Sequence, residues 1–228
     1  MRQYFIVGAV SSPIPSLGHQ PITLRAIDVL LYKLEFIEEA TKMKELKDYS
    51  GEYVPNLKLE DLSKECLVRL FNAAGKLYLG LDRHWNAVTR ERFGDRISGE
   101  LERDVWMGGA TRDEIKRTLK AANIQGDDVV ALAKVFQVDP AIHGVNEIEL
   151  ELKGRNHGIF TIKRCVTLDA LEKQGDPERI RFACELDALN WPIVGQTVNP
   201  KMKHRMLKLP PRKSKDEIAC QMEYWIED

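Results

Sequence analysis

The chain has 228 residues, 43% of them hydrophobic and 30% charged, which is enough to bury a core in one large domain or two small ones. Lys and Arg number 34 against 35 Asp and Glu, so a net charge of -1 gives no global pull toward nucleic acid or anionic membrane. No stretch reaches the roughly 20 apolar residues that a spanning helix needs.

Residues 1–21 carry Pro13, Pro15, Gly18 and Pro21 and are expected to be irregular. The apolar run from Tyr4 to Val10 is short for a secretory leader and lacks a small-x-small site, so it reads as a short strand or extended arm. Four cysteines without close pairing then read as reduced thiols of a cytoplasmic protein. Leu24, Ile27, Leu31, Leu34 and Ile37 recur by three or four and predict a first helix. Gly51, Pro55 and polar clusters over 47–60 then mark a boundary. Residues 1–50 are therefore an N-terminal arm and helix, 51–145 a helical region and 146–228 an α+β region, the last two forming one domain.

The strongest periodicity predicts a helix from Leu62 to Val88, with Asp61 as its N-cap and Leu70, Phe71, Leu77, Tyr78, Leu81 and Trp85 on a core stripe. A second run, Phe93 to Trp106 with Ile97, Leu101 and Val105 inward, is expected to pair with it antiparallel across Gly94. Thr111 and Glu114 have capping-box spacing and open a short helix, and Val129, Leu132, Val135 and Phe136 lie on another that Pro140 closes.

From residue 146 the period falls to two, with Ile148, Leu150 and Leu152 alternating with glutamates as in a half-buried strand. A turn at Asn156-His157-Gly158 and a return strand over 159–166 complete a hairpin. Helices follow at Thr167 and at Asp176-Pro177, then extended segments Met202 to Leu209 and Ile218 to Ile226. The fold class is α+β: N-terminal helices, then a mainly antiparallel sheet (β-hairpin, helices, β-hairpin) packed on a helical layer.

Arg164-Cys165, Phe182-Ala183-Cys184, Val198-Asn199-Pro200-Lys201, Leu209-Pro210-Pro211-Arg212-Lys213, Cys220-Gln221-Met222-Glu223 and the segment Asp82 to Trp85 carry a resemblance. Over roughly residues 54–228 the chain resembles an uncharacterised bacterial and archaeal family of cytosolic proteins. That family is distantly similar to L-2-amino-thiazoline-4-carboxylate hydrolases and more remotely to four-vinyl-reductase, small-molecule-binding domains. The resemblance implies a pocket between the sheet and its helices.

Cys165, Cys184 and Cys220 lie on three different elements with no local C-x-x-C, so any shared site is assembled by tertiary contact. Three readings stay open: buried structural thiols, ligands of zinc or iron, or a nucleophilic or redox cysteine. Alternation puts Cys165 on the face opposite Phe160 and Ile162, so a bulge or strand end is needed to turn it inward. Lys201, Lys203, His204, Arg205, Lys208, Arg212, Lys213 and Lys215 crowd one segment, a candidate local anion site or a solvated hairpin edge. Tyr78, Asp82 and Trp85 share a helical face and can wall a pocket.

No phosphate-binding loop, dinucleotide glycine fingerprint, HExxH or G-x-S-x-G is present, and no aromatic-interleaved basic patch marks nucleic acid. The expected role is binding of a small organic acid or partly apolar ligand. Arg212 and Asn199 would orient the acid, Tyr78, Asp82 and Trp85 would line the site, and Cys165, Cys184 and Cys220 would hold any zinc or iron. The alternative is a metal- or cysteine-dependent hydrolase of a cyclic amidine or amide. A homo-oligomer formed through the N-terminal helix is a further expectation.

Overall fold

The structure is a computed structural model that describes residues 45–227. The expected N-terminal arm and first helix lie outside the described residues. Contacts divide the chain into two units, Met1–Ser63 and Lys64–Asp228. In the first, Leu46 bridges Leu62 in parallel through backbone bonds of 2.9 Å to Asp61 and from Ser63. Asp61 closes a 3-10 turn, Leu59–Asp61, by accepting from the Lys58 backbone at 2.8 Å, instead of capping the helix that follows.

The second unit begins with α1, Lys64–Val105, which breaks at Gly94. There φ 80 and ψ 168 lie in a region that only glycine enters without strain. The Asn86 side chain donates to Ser98 at 3.2 Å and to Glu102, and Arg90 pairs with Asp95 at 2.6 Å. In one straight helix Asn86 and Glu102 would stand about 24 Å apart. The chain therefore doubles back into the expected antiparallel pair, with arms over 64–93 and 95–105.

The pair is turned the opposite way from its apolar pattern. Leu77, Leu81 and Trp85 are 73%, 69% and 66% exposed, and Ile97, Leu101 and Val105 also face outward. The inner faces carry Asp82, Asn86, Thr89, Ser98 and Glu102; Thr89 bonds Ser98 at 2.8 Å, and Arg179 from the later helix Pro177–Val198 reaches Asn86 and Glu102. Apart from Tyr78, the expected core stripe is thus an outer surface, because the polar groups of the inner faces bond to one another and to Arg179 and the leucines have no such partner to seek.

The second arm continues through a π-helical turn, Trp106–Ala110, directly into α2, Thr111–Ala121. The expected capping box does not form, since the preceding backbone is already helical. Thr111 instead donates to Asn190 at 2.6 Å, and Glu114 accepts from Tyr78 at 3.0 Å. Asp128 caps α3, Val129–Val138, by accepting from Ala131 at 2.8 Å.

Strands β1, Asn146–Gly154, and β2, His157–Cys165, form the first hairpin, and α4, Val166–Gln174, and α5, Pro177–Val198, follow it. Asp176 caps α5 and Pro177 stands in its first turn, as expected. Strands β3, Lys203–Lys208, and β4, Cys220–Trp225, close the chain. The two hairpins join through β2 and β4 into an antiparallel sheet of order β1-β2-β4-β3. Register places Leu150, Phe160, Met222 and Met206 in one row, and His204, Tyr224 and Gly158 in the next.

That row faces the helices. Phe160 and Tyr224 meet at 5.1 Å between ring centroids, Phe136 of α3 packs edge-on to Phe160 at 4.8 Å, and Trp191 of α5 lies 5.6 Å from Phe136. Gly195 lets α5 settle on the sheet, since a Cβ there would meet the Tyr224 ring at 2.9 Å. The opposite sheet face is polar, with Thr161 bonded to Gln221 at 2.9 Å and His157 to Glu223 at 2.8 Å. The fold is therefore α+β, and among the described residues no helix is long and apolar enough to cross a membrane.

Replacing Gly94 with alanine forces a side chain into a glycine-only conformation. The Gly94→Ala variant is expected to lose about 1–3 kcal/mol in urea unfolding; an unchanged midpoint would mean that the hairpin does not depend on this turn.

Candidate functional site: an acidic cavity under helix α5

Ala183, Asp187, Asn190, Trp191 and Val194 recur along α5 by three and four residues and so share one face. That face walls a cavity of about 150 Å³. Asp82 and Glu102 of the helical pair, Trp106 of the π turn and Thr111 and Glu114 of α2 form the opposite side, and Ile162, Cys165 and Cys220 of the sheet form the floor. A wider cavity of about 520 Å³, lined by Lys76, Arg83, His84 and Arg179 among others, shares Leu79, Asp82, Glu102, Thr167 and Ala183 with it and adjoins it as a vestibule.

The inner cavity is lined by four carboxyl groups and, among the described residues, by no Lys, Arg or His. Asp187 lines the cavity and keeps an exposed surface while protein atoms crowd around it. Its enclosure, with Glu102 and Asp82 nearby, pushes its pKa up to about 7. Burial likewise raises Asp82, against a hydrogen bond from Trp106 and the charge of Arg179. Glu102 is raised by burial too, although its pair with Arg179 at 3.3 Å opposes the shift.

Glu114 is pushed up to about 8 by burial and by Asp139, so it holds its proton at neutral pH. Asp139 is fully buried and committed to Thr118 at 2.7 Å and to the Ala141 and Ile142 backbone. Asn190 accepts from Thr111, which leaves its amide nitrogen as a donor. The indole N–H of Trp191 is buried with no acceptor.

The three sulfurs come together around Asp187. Cys165 and Cys220 line the cavity floor, and Cys184 lies close enough to feel the Cys165 charge. The inward turn of Cys165 comes from a bulge: Glu147 pairs with Arg164 and Ile148 with Ile162, so Lys163 is the extra residue. Burial and the Asp187 carboxylate push Cys165 up to about 11 and Cys184 up to about 12, and raise Cys220 as well. Among the described residues no three His, Cys, Asp or Glu side chains are grouped so as to hold a metal ion.

Of the other sequence candidates only Asp82 lines the cavity. Trp85 points outward, and Tyr78 stands behind the wall, edge-on to Trp106 at 6.0 Å. Asn199 bonds Asp127 at 3.2 Å and the Lys201 backbone at 2.9 Å in an exposed loop. Arg212 is 1% exposed and its fork is held by Glu172 at 2.8 Å and Asp169 at 2.6 Å, so it has no guanidinium face left for a ligand acid. The hydrogen bond from Arg212 also holds Glu172 below its ordinary pKa.

The basic segment is largely neutralised in the same way, with Lys203 on Glu227, Arg205 on Glu223 and Lys208 on Glu217 at 3.0 Å. It is a charge-paired hairpin edge rather than an anion site.

Asp187, Glu102, Glu114, Asn190 and Trp106 were missed by the sequence reading. One signal was present for Asp187: a lone acid three residues after Cys184 and four before Trp191, on the inward stripe of α5.

Two outcomes follow. With a pKa two units above the ordinary 9.0, native Cys165 at neutral pH is expected to react with iodoacetamide about a hundredfold more slowly than free cysteine, and rapid alkylation would contradict its enclosure. Arg212→Gln is expected to lower stability by roughly 2–3 kcal/mol, below the deep-burial range because the pair lies just under the surface. Urea unfolding of that variant measures the loss, and an unchanged midpoint would remove its structural role.

A comparison with curated proteins and one with solved structures each find no match. A family model does match, over residues 59–226, and so takes in the helical pair, the π turn, α5 and every strand of the sheet. The chain belongs to a family of unknown function (DUF6125).

Proposed function

We propose that the protein binds a compact organic cation, a small molecule bearing an amidinium, guanidinium or ammonium group, in the cavity under α5. One observation carries this reading: four carboxyl groups, and no Lys, Arg or His among the described residues, line a chamber of about 150 Å³. Carboxyl groups forced together in an enclosed space raise one another's pKa, and a cation relieves that repulsion. A chamber of this volume matches a ligand head of about the size of benzene.

Asp187 and Asp82 supply the counter-charge, the free oxygen sites of these carboxyl groups accept the donors of the cation, and Trp106, Ile162 and Val194 pack on its apolar part. The organic acid expected from the sequence fits poorly, because it would meet these carboxylates while Arg212 is already occupied. A partly apolar ligand remains in keeping with the walls. The thiols act as cavity wall in this reading, and neither zinc nor iron enters it.

A second reading has its own observation, the place of Asp187 in a chamber that adjoins the wider vestibule, with its pKa raised by burial. The distant resemblance to amidine hydrolases points the same way. Asp187 would take a proton from water as its oxygen adds to the amidine carbon. It would return that proton to the nitrogen as the C–N bond breaks.

Isothermal titration with methylguanidinium, acetamidinium and acetate at pH 6, 7 and 8 tests the binding claim. The two cations are expected to bind and acetate not to. Because Asp187 is protonated below about pH 7 and must give up its proton to pair, affinity should rise about tenfold from pH 6 to pH 8. Asp187→Asn should weaken binding and flatten that dependence. Binding of acetate, or of neither cation at millimolar concentration, would overturn the reading.

A further inference from the structure

The outward face of the helical pair is independent of the cavity. Leu67, Leu70, Ala74, Leu77, Leu81 and Val88 are spaced 3-4-3-4 and then by seven, the a and d positions of a heptad, with His84 in the remaining place. All of these side chains are exposed, and no charged residue interrupts the seam. Trp85 flanks it. On the second arm Ile97, Leu101 and Val105 face out as well, at levels set by the Asn86–Glu102 and Tyr78–Trp106 contacts.

Together Leu70, Leu77, Leu81, Trp85 and the second-arm residues expose roughly 500 Å² of apolar side chain. That is at the upper end of what a soluble monomer leaves open. A standard interface takes ~800 Å² from each partner around an apolar centre, and this face would supply that centre.

We infer that a second copy of this chain covers this face, the two α1 seams packing on each other about a two-fold axis. A heptad seam is complementary to itself: knobs from one copy enter the holes of an identical one, and a two-fold axis uses the same patch on both. The seam asks for no opposite charge from its partner, which a self-pairing surface cannot supply. The ligand route meets the seam only at His84. The rest of the vestibule opens on the flank of α1 that carries Lys76, Arg83 and Arg90, roughly a third of a turn or more from the Leu70, Leu77 and Leu81 row.

Light scattering and sedimentation equilibrium of the full chain from 1 to 100 µM test this. A mass of twice 26.1 kDa is expected. Leu77→Glu/Leu81→Glu should weaken the dimer at least a hundredfold, with helical circular dichroism and methylguanidinium binding unchanged. Leu70→Glu, at the far end of the seam, is the second probe should the double variant fail to fold.

A monomeric wild-type chain at 100 µM overturns the inference. So does a dimer whose mass all these variants leave intact. Should the monomer co-sediment with phosphatidylcholine vesicles, the face belongs to lipid; should it not, another protein or another part of the chain covers it.

Discussion

Enclosed negative charge is the constraint around which the second unit is organised. Asp82, Glu102, Glu114 and Asp187 cannot all ionise in one small chamber without compensation, and the protein compensates them unevenly. Glu102 has Arg179, Asp82 has the Trp106 indole, and Glu114 keeps its proton beside Asp139. Asp187 has no cation of its own. It stands at the middle of α5, where its titration near neutrality makes it the group most responsive to an incoming positive charge.

The architecture follows from keeping those groups together. Gly94 reverses α1 so that two polar stripes face each other, and Arg179 reaches from α5 to join them through Asn86 and Glu102. The π turn then carries Trp106 to the chamber and sets Thr111 against Asn190. A π turn is an uncommon element that recurs where a helix has to re-aim side chains at a site. On the other side the apolar core of Phe136, Phe160, Met222 and Tyr224 fixes α5 against the sheet. The cavity sits where this aromatic core gives way to the polar helical pair, and turning polar groups inward leaves the leucines of α1 outside.

Much of the scaffold was legible from periodicity. The hairpin, helices, hairpin order, the cap at Asp176, the reversal at Gly94 and the need for a bulge or strand end at Cys165 all follow from local rules, because each depends on neighbours in sequence. Two things were not legible. Helical periodicity shows that Leu77 and Leu81 share a face but not which way the face points, and here a buried hydrogen-bonded network reversed the usual answer. That Arg212 and Asn199 lie apart from the cavity was not legible for a related reason: a side chain's partners in space, Glu172 and Asp169 for Arg212, are unrelated to its neighbours in the chain. Asp187 could have been found by asking why an acid sits on an otherwise inward stripe.

The most direct measurement is a crystal structure of the full chain soaked with methylguanidinium at pH 8. Density for the cation between Asp187 and Asp82 is the predicted result. A chamber that instead closes by side-chain packing, or that holds an anion against these carboxyl groups, would contradict it.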